Sequence, residues 1–358
     1  MQKKNYFKII IAVVAIFLIQ FIYFNYVATR NSGEIQRANA QIESLHETVA
    51  ELNTQLESSS RKSFVNSHQL PATIVFCYDT LDMKDQLFRE RLEREFYSLL
   101  SKQGQIQLYL KRSIKYTQMI ERYLKENDLP LDLKYLAIHE SALLPNIRSR
   151  SNAVGLWQFM RSTGRLYRLN INRYIDERRD PEMATRAAMR FIKEMYRYYE
   201  NWPLVMAAYN GGHGRVSRAL KAQNSDSFFD LSLPEETERY YFMIVATKML
   251  LSNAEKYGFY LEEKDLFTPI PSIMIQYQIK EERKSVDDIC KQYKLSQAEF
   301  KYFNPKIIGS YLPRGKYEFN IPEEKYNSLV MERRSENKGN FSEEDVPPYK
   351  NSAGSSSN

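Results

Sequence analysis

Glu140 is the residue of this chain best suited to acid–base chemistry. It lies in Leu131–Met160, LDLKYLAIHESALLPNIRSRSNAVGLWQFM. At about 3.6 residues per helical turn, Leu133, Leu136, Ala137, Leu143 and Leu144 surround Glu140 on one face. Leu131, Tyr135, Ile138 and Ala142 form a second apolar face, with Asp132, Lys134, His139 and Ser141 between them. Such a helix is expected to be largely buried. A carboxyl in apolar surroundings is costly to ionise, so its pKa rises and it can act as a general acid. The competing reading is a Glu at the core margin, neutralised by one of the many nearby Arg or Lys side chains. Pro145 is expected to stop the helix, and a polar Arg/Ser/Asn run follows. Gly155, Leu156, Trp157, Gln158, Phe159 and Met160 then supply a flexible glycine, a large ring and an amide, groups suited to holding a sugar.

Further helices must position these groups. Thr80–Leu124 reads as charge-laced helix interrupted at Gly104, its Arg/Glu mixture a solvated face. Asn127 or Asp128 can cap the Glu140 helix, with Pro130 in its first turn. Asp180-Pro181 opens another, whose Ala184, Ala187 and Ala188 allow close helix approach. Beyond Trp202, Tyr209-Asn210 offers a stacking face and an amide before Gly211, Gly212 and Gly214. That turn reads either as an accessible-amide site or as an ordinary helix C-cap. Glu236-Thr237 starts a helix in which Tyr240 is either a cleft hydroxyl or a core aromatic.

Four blocks in order, Glu140-Ser141, Gly155-Leu156-Trp157-Gln158, Ala208-Tyr209-Asn210-Gly211-Gly212 and Glu236-Thr237 with Tyr240, resemble the soluble lytic transglycosylase (SLT) catalytic domain. The likeness is greatest to the membrane-bound lytic murein transglycosylase D group and covers roughly residues 73–260. It implies a mainly α, lysozyme-like domain at 73–266 with a cleft for peptidoglycan strands. It also implies Glu140 as the catalytic acid/base, with Ser141, Gly155, Trp157, Gln158, Phe159, Tyr209, Asn210 and Tyr240 lining the site. The family's lyase reaction needs one carboxylate and no metal or organic cofactor, whereas many glycosidases need two carboxylates. Its product is a 1,6-anhydro-muramyl end. Two departures stand out: Trp157 occupies a position where many relatives have Met, and Arg161 replaces a common proline. Arg161 is expected to alter that turn or to meet a muramyl carboxylate. His139 and His213 read as structural or solvated.

The remaining segments frame this domain. Ile9–Phe24 is apolar apart from Gln20, and Lys3, Lys4 and Lys8 precede it. We read residues 1–30 as an uncleaved inner-membrane anchor with the N-terminus cytoplasmic and the remainder periplasmic. A cleavable signal peptide ending at Ala28 is the rival. Ile35, Ala38, Ile42, Leu45, Val49, Leu52 and Leu56 alternate spacings of three and four, which predicts a coiled-coil stalk over 31–62 and a parallel homodimer. A lone amphipathic helix is the alternative. Ser58–Ser67 reads as a polar linker.

Beyond the prolines of LFTPIPSIM, residues 272–324 read as strand, helix, helix, strand, with Ser296 capping the second helix. This small α+β unit resembles a degenerate LysM module around Asn304-Pro305. Glu281-Glu282-Arg283-Lys284 and Lys294 replace expected Gly-containing turns, leaving glycan binding open while the fold survives. Residues 335–358 read as a disordered tail. Cys77 and Cys290 read as separate buried thiols. The net charge of +7 is spread along the chain without a basic stripe, which argues against nucleic acid as partner. Two further functions share this fold: a non-catalytic peptidoglycan-binding scaffold and a lysozyme-type hydrolase.

Overall fold

The computed structural model describes the backbone of residues 2–28, 32–65, 70–336 and 349–350, and side chains within 9–25, 37–55 and 70–332. It divides into two compact units, Met1–Gln69 and Leu70–Asn358. The first contains helices α1 (Gln2–Ala28) and α2 (Ser32–Val65). Among the described residues, no helix is long and apolar enough to cross a membrane, so the expected transmembrane anchor is not supported. Helix α2 continues to Val65, through most of the segment read as a linker. Its seam residues Ala38, Ile42, Leu45 and Val49 are half-buried and Leu52 is exposed. Ile35, Leu56 and residues 66–67 of the expected linker lie outside the residues whose side chains are described.

The second unit starts with an unanticipated hairpin, β1 (Thr73–Phe76) and β2 (Asp79–Asp82), paired antiparallel. Helices α3 (Gln86–Leu100) and α4 (Gln103–Glu126) follow. The break falls at Ser101-Lys102, so Gly104 is helical. Next come α5 (Lys134–Ser141), α6 (Arg161–Leu166), α7 (Pro181–Tyr199), α8 (Trp202–Gly211), α9 (His213–Gln223) and α10 (Glu235–Ser252). One apolar core unites them, with Leu136, Ala137, Trp157, Ala188, Met206, Ile244 and Val245 all buried. Asp180 caps α7 as expected, accepting from the Glu182 and Met183 amides at 3.1 and 3.0 Å. No side chain caps the turn before α5: Asn127 instead ends α4, and Asp128 takes φ 55°.

The C-terminal module has the expected order: β3 (Ser272–Ser285), α11 (Val286–Gln292), α12 (Gln297–Phe303) and β4 (Tyr311–Pro322). Its long strands pair antiparallel with a register shift between Ile279 and Arg283, so the charged run at 281–284 belongs to an irregular strand rather than a turn. Ser296 and Glu299 form a reciprocal capping box on α12. A helix absent from the sequence reading, α13 (Glu323–Glu336), follows, and β5 (Tyr349–Lys350) adds to β3. Thus two residues of the expected disordered tail form strand; 337–348 and 351–358 lie outside the described residues. Cys77 and Cys290 are both buried and unpaired by disulfide.

Asn304 staples the module internally. It is 1% exposed, donates to the carbonyls of Phe300 and Asn320 at 3.0 and 2.8 Å, and accepts from the Asn320 amide at 2.8 Å. Asn304→Ala leaves the Asn320 backbone groups without these partners, at an expected cost of about 2–4 kcal/mol. Chemical denaturation should register it as a lower midpoint with an unchanged slope.

Candidate active site

Glu140 stands on the last turn of α5, and the helix ends sooner than its apolar pattern suggests. Ala142 and Leu143 adopt left-handed φ of 51° and 56°, a conformation costing an L-residue about 1–2 kcal/mol. The reversal therefore occurs one residue after Ser141, and Leu144 becomes exposed instead of continuing the stripe. Ser141 holds the reversal: its hydroxyl donates to the Ala137 carbonyl and accepts from the Leu143 amide, both at 3.1 Å. Being 1% exposed, Ser141 shapes the backbone beside the acid rather than meeting a ligand. This corrects its expected place in the lining.

The Glu140 carboxyl is half-buried, closely surrounded by protein but keeping an accessible edge. Burial pushes its pKa up to about 7, partly offset by the Tyr240 hydroxyl and reinforced by the negative charge of Glu236. Tyr240, buried on α10, donates its hydroxyl to Glu140 Oε1. Tyr240 thus combines a ring packed in the core with a hydroxyl that reaches the acid. His139 packs edge-on against Tyr240 at a centroid distance of 5.9 Å. Burial lowers its pKa to about 4, which keeps its imidazole neutral near pH 7 and agrees with a structural role. His213 accepts a comparable role, 3.0 Å from the Tyr199 hydroxyl.

Because Tyr240 donates to the charged form, Tyr240→Phe should raise the Glu140 pKa further. A reaction requiring protonated Glu140 loses kcat/KM as pH rises through that pKa. The alkaline limb, near pH 7 in the parent protein, should move upward in Y240F. A pH–rate profile checks this; an unmoved limb would mean the hydroxyl does not tune the acid.

Asn210, at the end of α8, is held from two sides. Its amide nitrogen donates to Glu236 Oε1 at 3.1 Å, and its carbonyl accepts from the Thr237 hydroxyl at 2.9 Å. The carboxylate can only accept, which fixes the amide orientation. Gly211 permits this approach, since a Cβ there would stand 2.9 Å from Thr237 side-chain atoms. Gly212, at φ 87°, then turns directly into α9, so the glycine run is a corner between two helices. Tyr209 donates to the Trp157 carbonyl at 2.6 Å. Burial and the nearby Glu140 charge raise its pKa well above the usual tyrosine value.

The 154–159 loop departs most from the sequence reading. Trp157 is fully buried, its indole donating to the Thr185 hydroxyl at 2.9 Å, and Phe159 is 3% exposed. Both rings are packed into the core and offer no stacking face. Gly155 is locked rather than flexible: at φ 87°, an added Cβ would sit 1.7 Å from the Arg178 carbonyl oxygen. Gln158 takes φ 46° and donates to the Gly155 carbonyl at 2.8 Å. Arg161 donates to the Ile171 carbonyl at 3.2 Å, which favours the altered-turn reading.

Glu140, Tyr209, Asn210 and Tyr240 thus form one neighbourhood, joined by Glu236 and Thr237. Those two were visible in the Glu-Thr motif without being assigned to the lining. Tyr109 on α4 also feels the Glu140 charge and accepts from Gln105, a pair with no motif to reveal it. Among the described residues, no three His, Cys, Asp or Glu side chains converge to hold a metal.

A family model described as Transglycosylase SLT domain matches residues 118–231. Membrane-bound lytic murein transglycosylase D of Escherichia coli K12 is 31% identical over 226 residues, 62% of this chain and 49% of that protein. The same-named protein of Escherichia coli O6:H1 (strain CFT073) matches to the same extent. The chain therefore spans about half the length of these curated relatives. Among solved structures, an inactive mutant of lytic transglycosylase Slt from Pseudomonas aeruginosa aligns at 20% identity and TM-score 0.32, covering 42% of this chain and 26% of that one. The 70 kDa soluble lytic transglycosylase from Escherichia coli aligns at 22% identity and TM-score 0.31, with the same coverages.

Proposed function

We propose that this protein is a peptidoglycan lytic transglycosylase acting in the periplasm, where its substrate lies, in cell-wall turnover or remodelling. It would cleave the β-1,4 bond between N-acetylmuramic acid and N-acetylglucosamine without water. The observation carrying this reading is Glu140, poised near neutrality beneath Tyr240 within the matched SLT segment. Protonated Glu140 gives its proton to the bridging oxygen as the C1–O bond breaks, releasing N-acetylglucosamine as an alcohol. The muramyl acetamido oxygen closes on C1 and holds the positive charge as an oxazolinium. The Glu140 carboxylate then takes the proton of the 6-hydroxyl, whose oxygen attacks C1 and displaces the acetamido oxygen. Glu140 is thereby reprotonated, and a 1,6-anhydro end results. Asn210 and Tyr209, fixed by Glu236, Thr237 and the Trp157 carbonyl, would orient the acetamido group. Gln158 borders the ring.

Lysozyme-type hydrolysis is the second reading, favoured only by Glu236 as a nearby carboxylate. Its engagement with Asn210 suits a positioning role better than activation of water. The βααβ order supports a LysM-like 272–324 module, and the long helix α2 with a partly open seam supports a parallel dimer. To separate enzyme from scaffold, purified protein is incubated with insoluble peptidoglycan and the supernatant is assayed for muropeptides. Release by the parent protein supports the lyase; co-sedimentation without release would replace it with the scaffold.

A further inference from the structure

A continuous chain of contacts runs from the C-terminal module to the loop beside Tyr209 and Glu140. The turn after α12 lies against residues 174–176: Ile307 and Ile175 form an antiparallel bridge, and the Asp176 amide donates to the Lys306 carbonyl at 2.9 Å. The Ile308 and Gly309 amides both donate to the Tyr174 carbonyl, at 2.9 and 3.0 Å. Tyr174 and Ile175 pack on the module's own core, and Lys306 Nζ reaches the capping carboxylate of Asp180 at 3.0 Å. Asp176, so anchored, is 5% exposed and grips the 6% exposed Arg178. Its two oxygens accept from Nε at 2.9 Å and Nη2 at 2.8 Å. The remaining nitrogen of Arg178, Nη1, donates to the Phe159 carbonyl at 3.0 Å and the Asn152 carbonyl at 3.2 Å, while Gly155 lies against the Arg178 backbone. Both ends of the 152–159 loop are thereby tied to one guanidinium. That loop presents the Trp157 carbonyl to Tyr209 beside Glu140.

We propose that the C-terminal module is a brace that sets the 152–159 loop, with Arg178 as the positioning residue through which it acts. A planar guanidinium with both of its edges engaged transmits a shift of the Asp176 backbone to the loop more stiffly than a flexible ammonium would. Disturbing the module's contact turn should therefore change the geometry at Tyr209 and Glu140 without touching the substrate. Only the kinetic arm of the test rests on the lyase reading; the structural arm is independent of it.

Two variants of the full chain probe the contact. Ile308→Pro removes one amide to Tyr174, at a side chain already 40% exposed. Gly309→Val adds bulk where even a Cβ would lie 3.1 Å from Tyr174 Cα. Each is expected to lower kcat on soluble glycan strands about tenfold with KM within about twofold. Amides of 152–159 should exchange faster while those of α10 keep their protection. Parent-like kcat and unchanged loop exchange would overturn the brace. So would loss of α10 protection in both variants, because the contact would then uphold the whole domain. If the parent protein shows no lyase activity, the functional reading falls while the exchange arm still decides this one.

Discussion

Glu140→Gln is expected to reduce turnover of peptidoglycan by about 10²–10⁴-fold, the usual worth of a positioned general acid or base. The loss should fall on kcat rather than KM, because glutamine keeps the shape and still accepts from Tyr240, yet it can neither give nor take the proton. One group serves both steps in the proposed reaction, which places the expected loss toward the upper end of that range. The same change should strengthen the fold at alkaline pH. Glu140 has a folded-state pKa raised from 4.5 to about 7, so the folded protein binds the proton more tightly than the unfolded chain. The contribution of Glu140 to stability is therefore greatest below pH 4.5 and is lost as pH rises to about 7, after which the loss is constant. Glutamine escapes that loss. E140Q should exceed the parent in stability above pH 7, by up to about 3 kcal/mol before allowing for solvent screening at the open edge, and match it near pH 4. Denaturation at both pH values checks the sign.

Arg178→Met should be the most damaging substitution for stability outside the hydrophobic core. It strands the Asp176 carboxylate in a buried position and removes the donors to the Phe159 and Asn152 carbonyls. Breaking a buried ion pair from one side costs about 3–5 kcal/mol, which lowers the melting temperature of a domain this size by roughly 10 °C. Adding Asp176→Asn removes the stranded charge, so the double variant should recover part of the loss. Thermal unfolding of the two singles and the double provides the coupling. Additive losses would show that the pair is not the unit holding the loop.

What the sequence revealed follows from what each residue needs locally. Glu140 was legible because an acid amid leucines is anomalous, and Tyr240 because its ordered motif accompanied it; the two side chains hydrogen-bond in the fold. The Asp180-Pro181 start, the Ser296 cap and the module's strand–helix–helix–strand order were legible from short-range patterns. Exposure was not. Trp157 and Phe159 have the chemistry of sugar-stacking rings, but the pattern does not say which side of the loop faces the core. The left-handed Ala142 and Leu143 sit where the apolar period continues, and neither residue type signals a reversal. Asp176 and Arg178 carry no motif that singles them out in the sequence. Their burial depends on the module and on carbonyls about 20 residues away, contacts that no local window contains.

Mass spectrometry of the products released from purified peptidoglycan tests the central claim most directly. Fragments ending in 1,6-anhydro-muramic acid from the parent protein, absent with E140Q, are the expected result. Fragments one water heavier, with reducing ends, would contradict the lyase mechanism and assign Glu140 to hydrolysis.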